Sequence, residues 1–299
     1  MLVHTLDLNF QSRSHTIASY LVVGSAGPVL VETGPRSTLD TLLERLAEHG
    51  YQAADVRHVL VTHIHLDHAG AAGWWAQQGA QIYVHHVGAP HLIDPSKLLK
   101  SAGRIYEDQM DSLWGEVVSA PAERVTALAD GDSVTVGDLR FLALDTPGHA
   151  YHHHTFQLDD VAFTGDAAGI RIPGPAFIDL PAPPPEFHLE RWQQTIDRLE
   201  RQSFSAIYPT HFGRVEDWRG QLQGLSKLLD DAVAFVGQRM QNDESRDQIL
   251  AAYLAWQRQR ARAAAMSAKL FQRYEAANPH FMSVDGIMRY WRKRLQNDR

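Results

Sequence analysis

Histidine and aspartate side chains are concentrated in one short run of this chain, His63-Ile64-His65-Leu66-Asp67-His68. The run follows a β-type stretch, so on an extended backbone the side chains of His63, His65 and Asp67 point to one side. His68 then turns inward as the chain leaves the strand. Neutral imidazole nitrogen and carboxylate oxygen are ligands for zinc, iron, manganese or nickel. Because the chain has no cysteine, a metal here must be held by His, Asp or Glu.

Three later loops carry the same kinds of ligand. His149 ends the segment Asp145–His149, Asp166 follows a glycine, and His211 follows a threonine. Each of these residues lies one to a few positions past a predicted strand. Strand ends at one edge of a sheet converge in space, and loops there commonly carry function. The four loops together therefore predict one shared metal site.

The elements that must position these loops are short strands and helices. Strands are predicted over 17–23, 29–32, 57–62, 81–85, 134–136, 139–144, 155–158, 161–164 and 205–208. Helices are predicted over 39–49, 70–78, 96–118, 189–201, 215–237, 243–277 and 284–295. Arg171–Pro185, the Pro-rich segment, contains six prolines and is predicted to be irregular. This order predicts a layered α/β sandwich with a helical C-terminal extension.

The ordered motifs His-X-His-X-Asp-His, Gly-His, Gly-Asp and a terminal His resemble the metallo-β-lactamase-fold superfamily from about residue 15 to about residue 215. The resemblance implies an αββα metallo-β-lactamase sandwich with the site along one edge. It implies a catalytic domain over 1–214, followed by a helical extension over 215–299. It also implies seven metal ligands: His63, His65 and His149 for one ion, Asp67, His68 and His211 for a second, and Asp166 as the bridge between them.

Seven ligands of this kind allow two metal ions a few ångströms apart, which can share a bridging hydroxide. Each ion lowers the pKa of water towards neutrality and polarises a carbonyl or phosphoryl oxygen of the substrate. We predict two divalent metal ions, with zinc favoured and iron, manganese or nickel as alternatives. Asp67 is predicted to be catalytic as well as ligating, because its carboxylate can orient the nucleophile or carry a proton to the leaving group.

Substrate must reach the metals through the surrounding loops, and five side chains are candidate contacts: Arg171, Phe177, Ile178, Tyr106 and His152. The first three lie on the Pro-rich segment, which closely follows the bridging aspartate and is expected to form one wall of the pocket. They offer an anion anchor and two apolar surfaces. The fourth lies in the stretch 86–114, the expected opposite wall. The fifth belongs to a run of three imidazoles after His149, two of which are expected to be plain strand residues.

Four reactions are compatible with these motifs. Hydrolysis of a thioester or ester resembles hydroxyacylglutathione hydrolase (glyoxalase II), and lactone opening resembles the acyl-homoserine lactonases. A mononuclear iron persulfide dioxygenase, which binds its metal through two His and one Asp, is a third reading, and a phosphodiesterase or nuclease is a fourth. We favour a binuclear metallohydrolase that cleaves a small ester-like substrate, a thioester or a lactone, with a metal-bridging hydroxide.

Charge is distributed unevenly along the chain. Residues 258–299 contain ten Lys or Arg and three Asp or Glu, a net +7, so the remainder carries 18 minus 32, or −14. An acidic body argues against nucleic acid and favours a small-molecule substrate. The basic tail is interpreted as a solvated helix face, packed over one end of the sandwich or in contact with a second copy in a homodimer. The start shows no signal peptide and no stretch reaches membrane-span length, so a cytoplasmic protein without membrane contact is expected.

Overall fold

The structure, a computed structural model, describes residues 2–297, and two β-sheets form its centre. The first sheet has six strands in chain order: β1 (Leu2–Asp7), β2 (Ala18–Gly24), β3 (Gly27–Val31), β4 (His58–Leu60), β5 (Gln81–His85) and β6 (Val125–Leu128). The second has five strands: β7 (Ser133–Val136), β8 (Leu139–Asp145), β9 (His154–Leu158), β10 (Val161–Gly165) and β11 (Ala206–Pro209). Its spatial order is β11-β10-β9-β8-β7. β3 to β6 are parallel neighbours, as are β10 and β11, and the remaining pairs are antiparallel.

The two sheets pack face to face through side chains that alternate along each strand. Tyr20 on β2 and Phe163 on β10 meet between the sheets, with ring centroids 5.4 Å apart. Their chain neighbours, Leu21 and Ala162, point the other way and pack in the outer cores beneath the helices. This alternation follows from the two-residue period of a strand, and it buries both faces of both sheets.

Helices cover the two outer faces: α1 (Leu39–Glu48), α2 (Leu66–Ala69), α3 (Ala72–Gln77), α4 (Ala89–Ile93), α5 (Ser96–Tyr106), α6 (Met110–Trp114), α7 (Leu189–Glu200), α8 (Trp218–Gln241), α9 (Arg246–Ala263), α10 (Ala268–Ala277) and α11 (His280–Asn297). α1 and α3 pack on the first sheet through Leu42, Leu46 and Trp75. α7 and α8 pack on the second through Trp192 and Leu222. The predicted αββα sandwich with a helical C-terminal region, α8–α11, is confirmed.

Several features of the chain differ from the sequence predictions. The helix predicted over 96–118 is two helices, α5 and α6, separated at Glu107, whose backbone has φ 48°, and residues 115–118 are not helical. The helix predicted over 243–277 is two helices, because Ala265 adopts a left-handed backbone with φ 54° between α9 and α10. Ser267 then caps α10, its Oγ accepting a hydrogen bond from the Leu270 N–H at 3.2 Å. β1 and β6 were not predicted, because these edge strands are largely exposed or half-buried and lack a clear apolar alternation.

The Pro-rich segment is irregular, as predicted, and a buried carboxylate holds it against the C-terminal helices. Asp179 Oδ1 accepts a hydrogen bond from Gln257 Nε2 at 2.9 Å, and Oδ2 accepts one from Asn278 Nδ2 at 2.9 Å. The Nε2 atom of His280 lies 3.3 Å from the same Oδ2. A fully buried carboxylate is costly unless donors surround it, so these three partners fix the path of the segment.

One apolar core spans the predicted boundary between residues 214 and 215. It contains Ile207 of β11 and Trp192 of α7 together with Leu222 and Leu229 of α8. The division into two domains stays a prediction, and the predicted boundary lies within a continuous apolar core. Within residues 2–297 the helices are too short or too polar to cross a membrane.

Replacement of Asp179 should therefore destabilise the whole protein. Asp179→Ala leaves Gln257, Asn278 and His280 buried without their shared acceptor, and we expect the free energy of unfolding to fall by about 3–5 kcal/mol. Urea unfolding measures this value. Asp247→Ala is the control, because that side chain is 91% exposed and its loss should change the free energy by less than about 0.5 kcal/mol. Equal, small effects of the two substitutions would contradict the assigned role.

Candidate metal centre

The first four predicted ligands lie just past β4. His63 and His65 are in the loop that follows this strand, as expected. Asp67 and His68 lie in the short helix α2, so the expectation that Asp67 continues a strand alternation is wrong. The backbone N–H of His68 donates to the carbonyl of His65 at 3.0 Å, so the chain has already turned, and a helical turn aims both side chains at the site.

The other three predicted ligands reach the same place from the second sheet. His149 lies between β8 and β9, Asp166 directly follows β10, and His211 lies just after β11. Because β10 and β11 are parallel, their carboxyl ends lie side by side. The backbone N–H of His154 donates to the Thr62 carbonyl at 2.7 Å and joins the two sheets at this edge. The fold thus brings all seven residues together, while their role as ligands stays a prediction.

Three imidazole nitrogens form the first donor set. His63 Nε2 lies 2.9 Å from His65 Nδ1, and His149 Nε2 lies 3.1 Å and 2.9 Å from these two atoms. Burial lowers the pKa of each imidazole, that of His65 to about 3, so the rings are neutral near pH 7. His149 Nδ1 donates to the Pro181 carbonyl at 2.7 Å, which turns the lone pair of Nε2 towards the other two nitrogens. A cation between them satisfies such an arrangement.

The second donor set adds carboxylates. Asp67 Oδ2 lies 3.3 Å from His211 Nε2 and 3.6 Å from His68 Nε2. Asp166 faces both sets, because its Oδ2 lies 3.3 Å from His149 Nε2 while its Oδ1 lies 3.5 Å from His68 Nε2 and 3.6 Å from His211 Nε2. This position between the sets is the one that the bridging role of Asp166 requires.

The pKa values of the imidazoles in the second set are shifted upwards, opposite to those in the first set. Burial alone would lower the pKa of His68, but the carboxylates of Asp67, Asp166 and Glu32 outweigh it and raise the pKa well above 6.5. The pKa of His211 is raised for the same reason, against burial. In turn the two imidazoles overcome the burial of Asp67 and lower its pKa to about 2. A cation that binds here displaces these protons, so metal binding is coupled to proton release.

Buried polar atoms without hydrogen-bond partners test whether a metal fits. Among the described residues, His68 Nε2 and Asp166 Oδ1 are buried and have none. Native proteins satisfy nearly all such atoms with protein, water or an ion. The donor atoms of each of the two metal sets implied by the resemblance lie within 4.8 Å of one another. Imidazole and carboxylate donors at this spacing fit a divalent transition metal.

Glu32 supports the second set, and the sequence predicted it only as the last residue of a strand. Its backbone is left-handed, with φ 66°, which is uncommon for a residue with a side chain and typical of functional sites. Oε1 accepts a hydrogen bond from the Thr62 N–H at 3.2 Å and lies 3.6 Å from His68 Nδ1. This carboxylate faces the ring of His68 at ion-pair distance, the position that outer partners of metal-binding imidazoles occupy. The signal in the sequence is a single acid at the end of an apolar strand.

His153 supports the ligands from beneath. Its Nε2 accepts a hydrogen bond from the Asp166 N–H at 3.2 Å, and its Nδ1 lies 2.8 Å from Thr146 Oγ1. Gly165 is required here, because its φ is +51° and a Cβ atom would collide with the side chains of Thr62 and His153. We expected two of the three imidazoles at 152–154 to be plain strand residues, and His153 instead braces the site.

His154 points away from the ligands and joins a second cluster. Its Nε2 donates to Asp145 Oδ1 at 2.7 Å, and His85 Nε2 lies 3.3 Å from the same oxygen. The Val87 N–H donates to His85 Nδ1 at 3.0 Å, so the proton of a neutral His85 lies on Nε2 and faces Asp145. These hydrogen bonds tie β5 to β8 and β9, while His154 Nδ1 is buried without a partner within residues 2–297.

A largely apolar cleft of about 320 Å³ opens onto the donor sets. It contacts the ligands His65, Asp67, His149 and Asp166. Its hydrocarbon walls come from α2, from the stretch 86–114, from the Pro-rich segment and from the C-terminal helices. Among the side chains that form them are Leu66, Val87, Leu98, Ile105, Trp114 and Met282. Concave apolar sites with a few polar groups are typical of small-molecule binding.

Two of the five predicted substrate contacts line this cleft. Tyr106 is one, and burial raises the pKa of its hydroxyl, so the phenol stays protonated near neutral pH. His152 is the other, with Nε2 3.1 Å from the carboxylate of Glu186. The sequence left open whether the tail reaches the substrate, and Asn278 and Met282 do contribute to the wall.

The other three predicted contacts lie outside the cleft. Phe177 is buried against Tyr274 of α10, with ring centroids 4.9 Å apart, and Ile178 packs on α8 beside Gly224. Arg171 lies on a separate surface depression and forms backbone hydrogen bonds with residues 211 and 212. The Pro-rich segment buries its apolar side chains against the C-terminal helices, so the cleft meets its later prolines instead. The placement expected for these three residues is thereby corrected.

Known proteins resemble this chain in sequence and in fold. The family model described as the metallo-beta-lactamase superfamily matches residues 15–211. The metallo-beta-lactamase fold-containing protein ST1585 of Sulfurisphaera tokodaii is 24% identical over 185 residues, 60% of this chain and 66% of that protein. An atrochrysone carboxyl ACP thioesterase of Aspergillus fumigatus is 26% identical over 209 residues, 69% of this chain and 53% of that enzyme. The chain thus spans between about half and two thirds of the length of these relatives.

The solved structure of the metallo-beta-lactamase family protein TTHA1429 from Thermus thermophilus shares the fold of nearly the whole chain. The TM-score is 0.67 at 22% identity, over 98% of this chain and 93% of that one. The likeness therefore extends beyond the sandwich into the C-terminal helices. From the match of the family model over most of the sandwich, the chain belongs to the metallo-beta-lactamase superfamily.

Proposed function

We propose that the protein is a binuclear metallohydrolase that cleaves a small ester-like substrate, a thioester or a lactone, with an apolar acyl group. The observation that carries this proposal is the position of Asp166 between two sets of donors beside an apolar cleft. The thioesterase among the relatives supports an acyl-transfer reaction to water. Zinc is the favoured metal, and iron, manganese or nickel are alternatives with the same donors.

One ion would be held by His63, His65 and His149, the other by Asp67, His68 and His211, with Asp166 shared between them. Bound at these residues, divalent ions supply Lewis acidity, which acidifies water and polarises an ester carbonyl. In the hydrolysis a water oxygen adds to the carbonyl carbon and the bond to the leaving sulfur or oxygen breaks. The products are a carboxylate, a thiol or alcohol, and a proton.

Side chains of the cleft have distinct parts in this reaction. Asp67 and Asp166 both line the cleft, and Asp67 is the more accessible of the two, with a side chain 20% exposed, whereas Asp166 is buried. The Asp67 carboxylate would accept a hydrogen bond from water and pass the proton to the leaving group. The Tyr106 hydroxyl, protonated at neutral pH, is placed to donate to the substrate. The apolar walls bind the acyl chain and exclude bulk water.

The alternative reactions are less well supported. A mononuclear iron persulfide dioxygenase uses two His and one Asp, a smaller set than the seven donors assembled here. Phosphodiesterases bind a charged backbone through cationic and polar groups, whereas the walls of this cleft are mostly hydrocarbon. Both properties favour hydrolysis of a small ester-like molecule.

Metal content and activity should change together. Elemental analysis should find about two ions per chain, and exhaustive chelation should abolish ester hydrolysis until metal is restored. His149→Ala should bind about one ion fewer, because it removes a donor of the first set. His49→Ala, at an exposed position on the surface, is the control with unchanged metal content. Full hydrolytic activity after complete chelation would contradict the proposal.

Asp67 should be needed for turnover beyond its part in binding metal. Asp67→Asn keeps the size and one oxygen donor of the side chain but removes its charge, and kcat should fall by about 10²–10⁴-fold. Single-substrate kinetics on metal-loaded protein measure the loss, with circular dichroism as the check on folding. Asp197→Asn, on the exposed side of α7, should leave kcat unaffected. An Asp67→Asn variant with full metal content and nearly normal kcat would exclude this role.

The acyl chain should contribute binding energy in the cleft. In a series of straight-chain thioesters, kcat/KM should rise about three- to fourfold for each added methylene until the cavity is full. Ala102→Phe, on the α5 wall, should make the rise stop at a shorter chain. Ala47→Phe, on the exposed face of α1, should leave the series unchanged. A flat dependence on chain length would mean that another part of the substrate occupies the cleft.

A further inference from the structure

The last helix carries a stripe of cations that the hydrolysis does not use. Arg289, Arg292 and Lys293 are spaced i, i+3 and i+4 on α11, so they lie on one face, and all three are exposed. We call these three residues the basic stripe. The nearby carboxylate of Asp285 is bound by Arg246, whose Nε donates to Oδ1 at 2.7 Å and whose Nη2 donates to Oδ2 at 2.8 Å. Within residues 2–297 the three side chains of the stripe form no salt bridge.

The basic stripe is held next to the mouth of the cleft. The opposite face of α11 is buried through Val284, Ile287 and Met288. At Gly286 the helix packs so closely on the Pro-rich segment that a Cβ atom would collide with the Ala182 carbonyl. The depression that the stripe lines also contains Pro184, and Pro184 lines the catalytic cleft as well. One molecule can therefore contact both surfaces.

A second depression that borders the cleft has the opposite charge. It meets the cleft at Tyr106 and is lined by Glu107, Asp108 and Glu275, with Arg13 as its cation. An anionic portion of a substrate is repelled on that side and attracted on the side of the basic stripe. The two depressions that border the cleft thus differ in charge, while the cleft itself, as lined by residues 2–297, contains one cation, Lys97, and one carboxylate outside the donor sets, Glu186. This difference favours the side of the basic stripe for an anionic part of the substrate that extends outside.

We propose that the basic stripe binds phosphate groups on the leaving thiol of a thioester whose acyl group lies in the cleft. This inference rests on the proposed hydrolase function and narrows it to thioesters with an anionic leaving group. Arginine and lysine are the usual partners of phosphate oxygens, and three of them on one helix face suit a leaving group with more than one phosphate. A lactone has no leaving group of this kind, since its alcohol stays attached.

Two thioesters with the same acyl chain test the charge of the leaving group directly. The acyl thioester of coenzyme A carries phosphates, and that of N-acetylcysteamine has none. At low ionic strength kcat/KM should be about tenfold higher for the coenzyme A thioester, from three exposed ion pairs and electrostatic steering. The ratio should fall towards one at high salt, where surface charges are screened. A ratio near one at low salt would overturn the inference.

Matched triple variants assign the effect to the stripe. Arg289→Gln, Arg292→Gln and Lys293→Gln together should reduce the low-salt ratio to near one, since glutamine keeps helix propensity and removes charge. Arg258→Gln, Arg262→Gln and Lys269→Gln remove the same charge from exposed sites elsewhere in the C-terminal region and should retain the ratio. If both triple variants lose the low-salt ratio equally, the effect depends only on the net charge of the protein, and the inference is overturned.

A binding measurement separates this inference from the proposed function. Desulfo-coenzyme A, which lacks the thiol that would ligate a metal, should bind the unmodified protein in calorimetry at low salt. The stripe variant should lose this binding and the control variant should keep it. If neither the two thioesters nor a lactone with the same acyl chain is hydrolysed, the proposed function fails, and this measurement alone decides whether the stripe binds phosphate. Binding of phosphatidylserine vesicles through the stripe, without binding of desulfo-coenzyme A, would overturn the inference.

Discussion

Buried imidazole and carboxylate atoms must be held a few ångströms apart in this protein, and much of the fold serves that requirement. Bringing such groups together without water is unfavourable unless a cation or protons neutralise them. Loops from both sheets deliver them, and parallel strands align the loop ends. Glu32 adopts a left-handed backbone to face His68, and the Pro181 carbonyl accepts the outer proton of His149. Rigid support of this kind keeps the donor atoms in place before any ion binds.

The identity of the candidate ligands could be predicted because residue type and local spacing encode it. The αββα order was also readable, since buried strands and amphipathic helices leave periodic patterns. What failed depends on contacts that are distant in sequence. Phe177 and Ile178 seemed to belong to the pocket wall by position, but Asp179 draws their segment onto helices about 80 to 100 residues later. The break at Ala265 contains neither Gly nor Pro, and its one local signal is the helix-capping residue Ser267 within a pattern that otherwise reads as helix.

Consecutive histidines after the Gly-His motif illustrate the same limit. In the folded chain His152 faces the cleft, His153 supports Asp166, and His154 joins a hydrogen-bonded cluster with Asp145. The three residues are of the same type, so the sequence does not distinguish their three environments. These environments depend on how the chain leaves the loop and enters β9. The lining of the cleft is likewise spread over distant segments, because α5, the later prolines and Met282 all contribute to it.

The hydrogen bond from His149 to Pro181 has a consequence for the C-terminal helices. Pro181 lies two positions after Asp179, whose partners are Gln257, Asn278 and His280. A cation that orders His149 therefore also restrains the peptide to which these helices are attached. Ion occupancy and helix docking are linked equilibria, and by reciprocity each favours the other. The stability with which the C-terminal helices dock should therefore depend on whether the candidate site holds an ion, although none of the residues of these helices is a candidate ligand.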